Sequence, residues 1–340
     1  MKNDVKTYHI TCIMAGLVIL LTVMAFAPFI GPTKLLFSDV FNWSHIQSGT
    51  AQTVIFFQIR LPRVILACLA GAVLAMSGVV LQALLKNPLA TPFTIGISGG
   101  ASLGAVLAVR FGGPFVLGAY SIVSFSAFLG AMSVMGIMVL IAKRRHQLST
   151  ATILLAGVTI NFFVSSFITL LNFFSDFLST RRIVIWLMGG IDVVSYGQIL
   201  GILPFLAIGS FIIFRHAKSL NILSLGTEMA SGLGLNAERV QWLLLFASSL
   251  VIASVVSLTG PIGFVGLIVP HIMRMMFGAD HRLLLWISAI GGAILLVVCD
   301  TLARTVIAPI EIPVGCITTM LGGPFFIWLL KKKMSEDGQF

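Results

Sequence analysis

An all-α polytopic membrane protein with ten transmembrane helices is the fold class this sequence predicts. Three observations carry it: high hydrophobicity, regularly recurring apolar runs, and a few charges confined to the ends of those runs. The 340-residue chain is 58% hydrophobic and 9% charged, whereas an average soluble domain is about 25% charged. Its mean hydropathy is +1.07. Runs of roughly 17–25 apolar residues, enough to cross about 30 Å of hydrocarbon as helix, follow one another without a soluble segment between them. Residues 1–340 therefore read as one integral domain.

The spans are expected at 10–30, 61–83, 93–110, 115–142, 151–172, 198–214, 240–258, 262–277, 283–303 and 314–330. The first is longer than a signal-peptide core and lacks a small-residue cleavage site, so it is retained as a helix. Counted alternately, these spans put fourteen of the twenty-one Lys and Arg residues on one side, among them Lys2, Lys6, "KRRH" at 143–146, "RHAK" at 215–218 and "KKK" at 331–333. The positive-inside rule makes that side the cytoplasm and both termini cytoplasmic.

The net charge of +10 is scattered over short loops, with no basic helix or strand to hold a phosphate backbone, so nucleic acid is not an expected partner. Cys12, Cys68, Cys299 and Cys316 lie in apolar runs without CxxC spacing, and no metal site or disulfide framework is expected. No GxxxxGK[ST] loop occurs, so any nucleotide that drives this protein binds to another chain. "GISGG" at 96–100 has the GxSxG spacing of a serine nucleophile and resembles the GxSG of rhomboid proteases. It sits inside an apolar span rather than on a strand–turn–helix elbow. Gly96, Gly100 and Gly104 also have the small-xxx-small spacing of closely packed helices. No catalytic residue is assigned.

Three places remain as candidate sites. Arg60 and Arg63 open the second span and Arg304 closes the ninth, all on the side opposite the main positive charge. Interfacial anchoring by snorkelling is one reading, and reception of an acidic partner is the other. The longest polar interruption, 215–242, reads as two short helices broken at Gly226, with Thr227 as N-cap and Gly232 and Gly234 ending the second. A docking surface for a soluble partner and an amphipathic connector lying on the headgroups both fit. Finally, the turn "KNPLATP" at 86–92 and "LST" at 148–150 place Asn87, Leu89, Ser149 and Thr150 on the cytoplasmic side, as an inner gate or as ordinary turn and cap residues.

Several blocks, in order, resemble one known family. They are "RLPRVILACLAGAVLAMSGVVLQALLKNPLATPFTIGISGGASLGAVLA", "SLGTEMASGLGL", "GPIGFVGLIVPHIMR", "GADHR", "EIPVG" and "LGGPFFIWLL", from about Arg60 to Leu330. The family is the FecCD-type permeases of bacterial ATP-binding-cassette importers for iron-siderophores, heme and cobalamin. The resemblance implies a type II ABC importer permease of ten helices in the cytoplasmic (inner) membrane, paired with a second copy or a close paralogue. Two ATPase subunits, which bind the ATP, would dock on the cytoplasmic loop through Leu225, Gly226, Thr227, Glu228, Ala230, Leu233 and Gly234. An extracytoplasmic binding protein would dock on Arg60, Arg63 and Arg304 through its glutamates. No cofactor in this chain is implied, and an iron-siderophore is the first cargo expected, with heme or cobalamin as alternatives. Of the other classes, a secondary transporter is disfavoured because Asp300 and Glu311 lie near the outer end and no buried carboxylate relay is evident, and an intramembrane serine protease rests on "GISG" alone.

Overall fold

The computed structural model describes residues 2–42, 49–112, 116–117, 120–143, 150–192 and 195–337. Among them the chain is almost entirely helical. The helices are α1 (Lys2–Phe26), α2 (Ala51–Leu84), α3 (Ile97–Phe111), α4 (Ile122–Lys143), α5 (Thr150–Phe173), α6 (Phe177–Leu187) and α7 (Tyr196–Arg215). They continue with α8 (Ala217–Ser224), α9 (Thr227–Gly232), α10 (Ala237–Thr259), α11 (Val265–Phe277), α12 (His281–Thr305) and α13 (Val314–Asp337). A two-residue antiparallel pair, Val116–Leu117 with Tyr120–Ser121, precedes α4.

Seven helical stretches among the described residues are long and apolar enough to cross a membrane: Thr7–Phe29, Ala51–Leu84, Ile122–Ile141, Ala151–Phe173, Tyr196–Arg215, Ala237–Thr259 and His281–Thr305. The other three predicted spans coincide with shorter apolar helices, Ile97–Phe111, Val265–Phe277 and Val314–Leu329. At 1.5 Å per residue, the 15 residues of α3 extend about 22 Å, less than the hydrocarbon thickness.

Helix α2 is the centre of the bundle, packed against α12, α10 and α11, with α3 and α4 forming a tight pair that packs on α10. Close approach comes from small residues. A Cβ at Gly104 would collide with the Ser126 carbonyl, and one at Gly78 with the Gly266 carbonyl, so α3 meets α4, and α2 meets α11, backbone to backbone. Ser98 is buried in this packing, and its carbonyl accepts from the Ser102 hydroxyl at 2.9 Å.

Two boundaries differ from expectation. Helix α2 begins ten residues before position 61, because a π-helical stretch, Ile55–Arg60, runs into Pro62 without a break. The wider turn relieves the clash of a proline ring with the preceding turn. The fourth helix starts at Ile122 rather than near 115, after the paired residues Val116–Leu117 and Tyr120–Ser121. The loop 173–197 also contains an additional helix, α6, started by the Asp176 carboxylate accepting from Ser179 N–H at 3.3 Å.

Candidate functional site

The first site lies where α1 ends, α2 begins and α12 ends. Arg63 donates from Nε to Asp300 Oδ1 at 2.8 Å and from Nη1 to Glu311 Oε2 at 2.5 Å. Arg304 stands one helical turn beyond Asp300, and its Nε is 3.1 Å from Asp300 Oδ2, an ion pair without hydrogen-bond alignment at that oxygen. Arg304 also reaches the carbonyls of Ala27 at 3.5 Å and Ile30 at 3.4 Å. Arg60 donates to Pro28 O at 3.0 Å, Phe29 O at 3.3 Å and Thr33 O at 2.7 Å. Two arginines thus cap the chain emerging from α1, where helix-end carbonyls lack intrahelical partners and carry the negative end of the dipole.

The guanidinium groups are held inside the protein and not open to water. Arg60 and Arg63 are each 5% exposed and Arg304 is 2% exposed. Glu311, with its side chain 48% exposed, is the open member of the cluster. Three guanidinium groups against two carboxylates still leave the cluster positive.

At the opposite ends of α2 and α12 lies the helical loop. Its break is at Gly226, which has φ 123° and ψ 152° and occupies the N-cap position, so Thr227 is the first helical residue rather than the cap. Gly232 is the last residue of α9, and Gly234 takes φ 79° just beyond it. Ala217, Leu220 and Leu223 seat α8 on the bundle, and Ala230 does the same for α9. Leu225, Met229 and Leu233, four residues apart, are exposed, and so is Glu228. Of the residues expected in this surface, Ala230 therefore points inward, and Met229 joins the outward row. Its signal was the i, i+4 spacing with Leu233, Leu225 lying beyond the break at Gly226.

The loop is latched to the start of α12. Asn221 Nδ2 donates to Asp280 Oδ1 at 2.8 Å, while Asn221 Oδ1 accepts from His281 N–H at 2.9 Å and faces His281 Nδ1 at 2.6 Å. The Asp280 carboxylate also accepts from Arg282 N–H and its guanidinium. Those bonds, Arg282 first, hold the Asp280 carboxyl well below the usual carboxylate range. Next to it, Arg274 Nη2 donates to Gln82 Oε1 at 3.1 Å, and Gln82 Nε2 to Gly266 O at 3.3 Å, tying α11 to α2.

In the turn after α2, Asn87 Oδ1 accepts from Leu89 N–H at 2.9 Å and the Leu89 side chain is 49% exposed. Thr150 is the first residue of α5, and Ser149 lies outside the described residues. A cavity of about 620 Å³ runs along α11 and α13, lined by Thr91, Phe93, Phe264, Leu267, Cys316 and Thr319 among others. No group of three or more His, Cys, Asp or Glu able to hold a metal occurs among the described residues.

Residues 17–332 match the FecCD transport family. The chain belongs to that family. Its relatives include the hemin transport system permease protein of Yersinia pestis, 39% identical over 94% of this chain and 95% of that protein. A vitamin B12 import system permease protein of Vibrio vulnificus is 39% identical over 92% and 93%. A Helicobacter pylori protein named for iron chelatin transport is 36% identical over 96% and 98%. Among solved structures, an inward-facing metal-chelate type ABC transporter matches with a TM-score of 0.82 and 31% identity, over 95% of this chain and 99% of that one. This FecCD-family chain is an ABC importer permease, and the cargoes in its relatives' names are heme, cobalamin and iron chelate.

Proposed function

We propose that this permease carries a metal chelate inward through the cytoplasmic membrane of a bacterium, with an iron-siderophore as cargo, driven by ATP hydrolysed on separate subunits. The observation that carries this reading is the helical loop. A soluble chain needs a surface to grip, and the exposed Leu225, Glu228, Met229 and Leu233, on α9 and flanking it, supply one, with Ala230 buried on the inner side of that helix. All ten apolar helices cross in this reading, with both termini cytoplasmic. Two copies, or this chain and a close paralogue, enclose the path, and two ATPases dock on 215–240.

The positive field of the Arg60, Arg63, Arg304, Asp300 and Glu311 cluster lies on the extracytoplasmic side in this topology, where it favours an acidic binding protein. Asn87, Leu89, Ser149 and Thr150 line the inner gate. The cavity along α11 and α13 is apolar with hydroxyls at Thr91 and Thr319, which suits a bulky chelate held by shape and few polar contacts. A heme cargo is the second reading, favoured by the hemin permease among the relatives.

The cargo is tested by purifying the binding protein encoded beside this chain and titrating ferric siderophores, heme and cobalamin against its fluorescence. Quenching by a siderophore at submicromolar concentration is expected, and quenching by heme or cobalamin alone would reassign the cargo.

A further inference from the structure

Helix α11 is bracketed by left-handed backbone. Phe264, just before it, has φ 66°, and Gly278, just after it, has φ 87°. A Cβ at Gly278 would meet nothing within 4 Å, so the backbone angle and not close packing is what calls for glycine there. The helix between these two joints lines the large cavity through Phe264 and Leu267. It is a short rod tied to α2 through Gly266 and Arg274, and the hinge at its far end, Gly278, lies two residues from Asp280.

What holds that hinge is the helical loop. Asn221, on α8, spends its amide on both Asp280 and His281, donating to the first and accepting from the second. The carboxylate of Asp280 can only accept, which fixes the amide orientation: Nδ2 faces Asp280 and Oδ1 faces the His281 donors. Apolar contacts of Leu220 and Leu223 seat α8 on the bundle, but such contacts are non-directional and tolerate sliding. The three Asn221 bonds set one register.

We infer that Asn221 is a positioning residue that passes displacement of the 215–240 loop to the α11–α12 joint and so to the wall of the cavity. This rests on the importer reading for its transport consequence and on the bonds alone for the latch. Force on α9 moves α8 as one body with it. Through Asn221, that movement passes to the start of α12 and, across the Gly278 joint, to α11 together with the end of α2 bonded to it at Gln82. Without Asn221 the loop still docks, but its motion dissipates at the α8 surface.

The test uses Asn221→Leu, similar in size and unable to bond, in two measurements. In the purified permease, amide exchange across 274–283 is expected to speed up several-fold while exchange in α10 stays unchanged. In proteoliposomes containing the permease–ATPase complex, ATP hydrolysis is expected to persist while transport per ATP falls by about tenfold, within the range of coupling between sites. Should Asn221→Leu fail to insert, Asn221→Ser, too short to span both partners, replaces it. Unchanged exchange overturns the latch. Unchanged transport per ATP, or equal losses of transport and hydrolysis, overturns its role in coupling. If the wild type shows no ATP-dependent transport, the importer reading fails instead, and exchange alone decides the latch.

Discussion

Arg63 on α2 and Asp300 on α12 meet at 2.8 Å although 237 residues separate them in the chain. Both are buried, Asp300 completely. Removing one member of a buried ion pair costs about 3–5 kcal/mol because the survivor is stranded. Asp300→Ala strands both Arg63 and Arg304. Its expected effect is a large drop in the thermal unfolding temperature of the detergent-purified permease, against little change for Glu311→Gln at the open edge. Equal stability of Asp300→Ala and wild type would show that the network is not structural.

The same burial changes what a charge reversal reports. Arg63→Glu would place a third carboxylate against Asp300 and Glu311, so the yield of folded protein is expected to fall before docking can be measured. The informative variant is Glu311→Gln, which leaves the arginines in place and makes the cluster more positive. Its expected effect is faster association of the binding protein at low salt, with the gain lost as the screening length shrinks toward about 8 Å. Stopped-flow association across a salt series checks this. Slower association in Glu311→Gln would count against an acidic partner at this face.

Much of the fold was legible because the bilayer imposes it. Apolar runs of spanning length and small-residue spacings such as Gly96, Gly100 and Gly104 need no tertiary information. Gly226 was legible for a similar reason, since a break between two short amphipathic runs needs a residue free of Cβ. Helix α6 was missed because "FLSTRRIVIWL" has too little apolar length to read as a span, although Asp176 ahead of Ser179 is a usable cap signal. The surroundings of the arginines could not be read at all. Arg60 is held by carbonyls of the segment following α1, and Arg63 by carboxylates more than 230 residues away. Local sequence shows charge at a helix end and not what surrounds it.

Gly226 supplies a backbone prediction with sterics excluded. A Cβ there would meet nothing within 4 Å, yet φ 123° with ψ 152° is a conformation side chains rarely adopt. Gly226→Val should therefore strain the loop by about 1–3 kcal/mol without touching a neighbour. The expected outcome is normal insertion with reduced transport. Normal transport, with the ATPase co-purifying as in wild type, would remove the loop from coupling.

Docking on the exposed row predicts a second, separable phenotype. Leu225→Asp and Leu233→Asp lie on the surface and should leave the unfolding free energy within about 0.5 kcal/mol of wild type, while recovery of the ATPase on an affinity-tagged permease drops. Retained recovery in the double variant would place the docking surface elsewhere.

Sidedness is checked by single cysteines. Lys34→Cys and Gly112→Cys are expected to react with a membrane-impermeant maleimide added outside intact cells, and Lys218→Cys only after the membrane is opened. Labelling of Lys218→Cys from outside would invert the topology and exchange the roles given to the two ends of the bundle.

The most direct test of the central claim is the energy source. The permease is reconstituted into proteoliposomes with its ATPase, the binding protein and a radiolabelled ferric siderophore, and uptake is compared with ATP, without ATP, and with an imposed proton gradient alone. The account predicts uptake that requires ATP hydrolysis and the binding protein and ignores the gradient. Uptake driven by the gradient in the absence of ATP would contradict it and make this chain a secondary transporter.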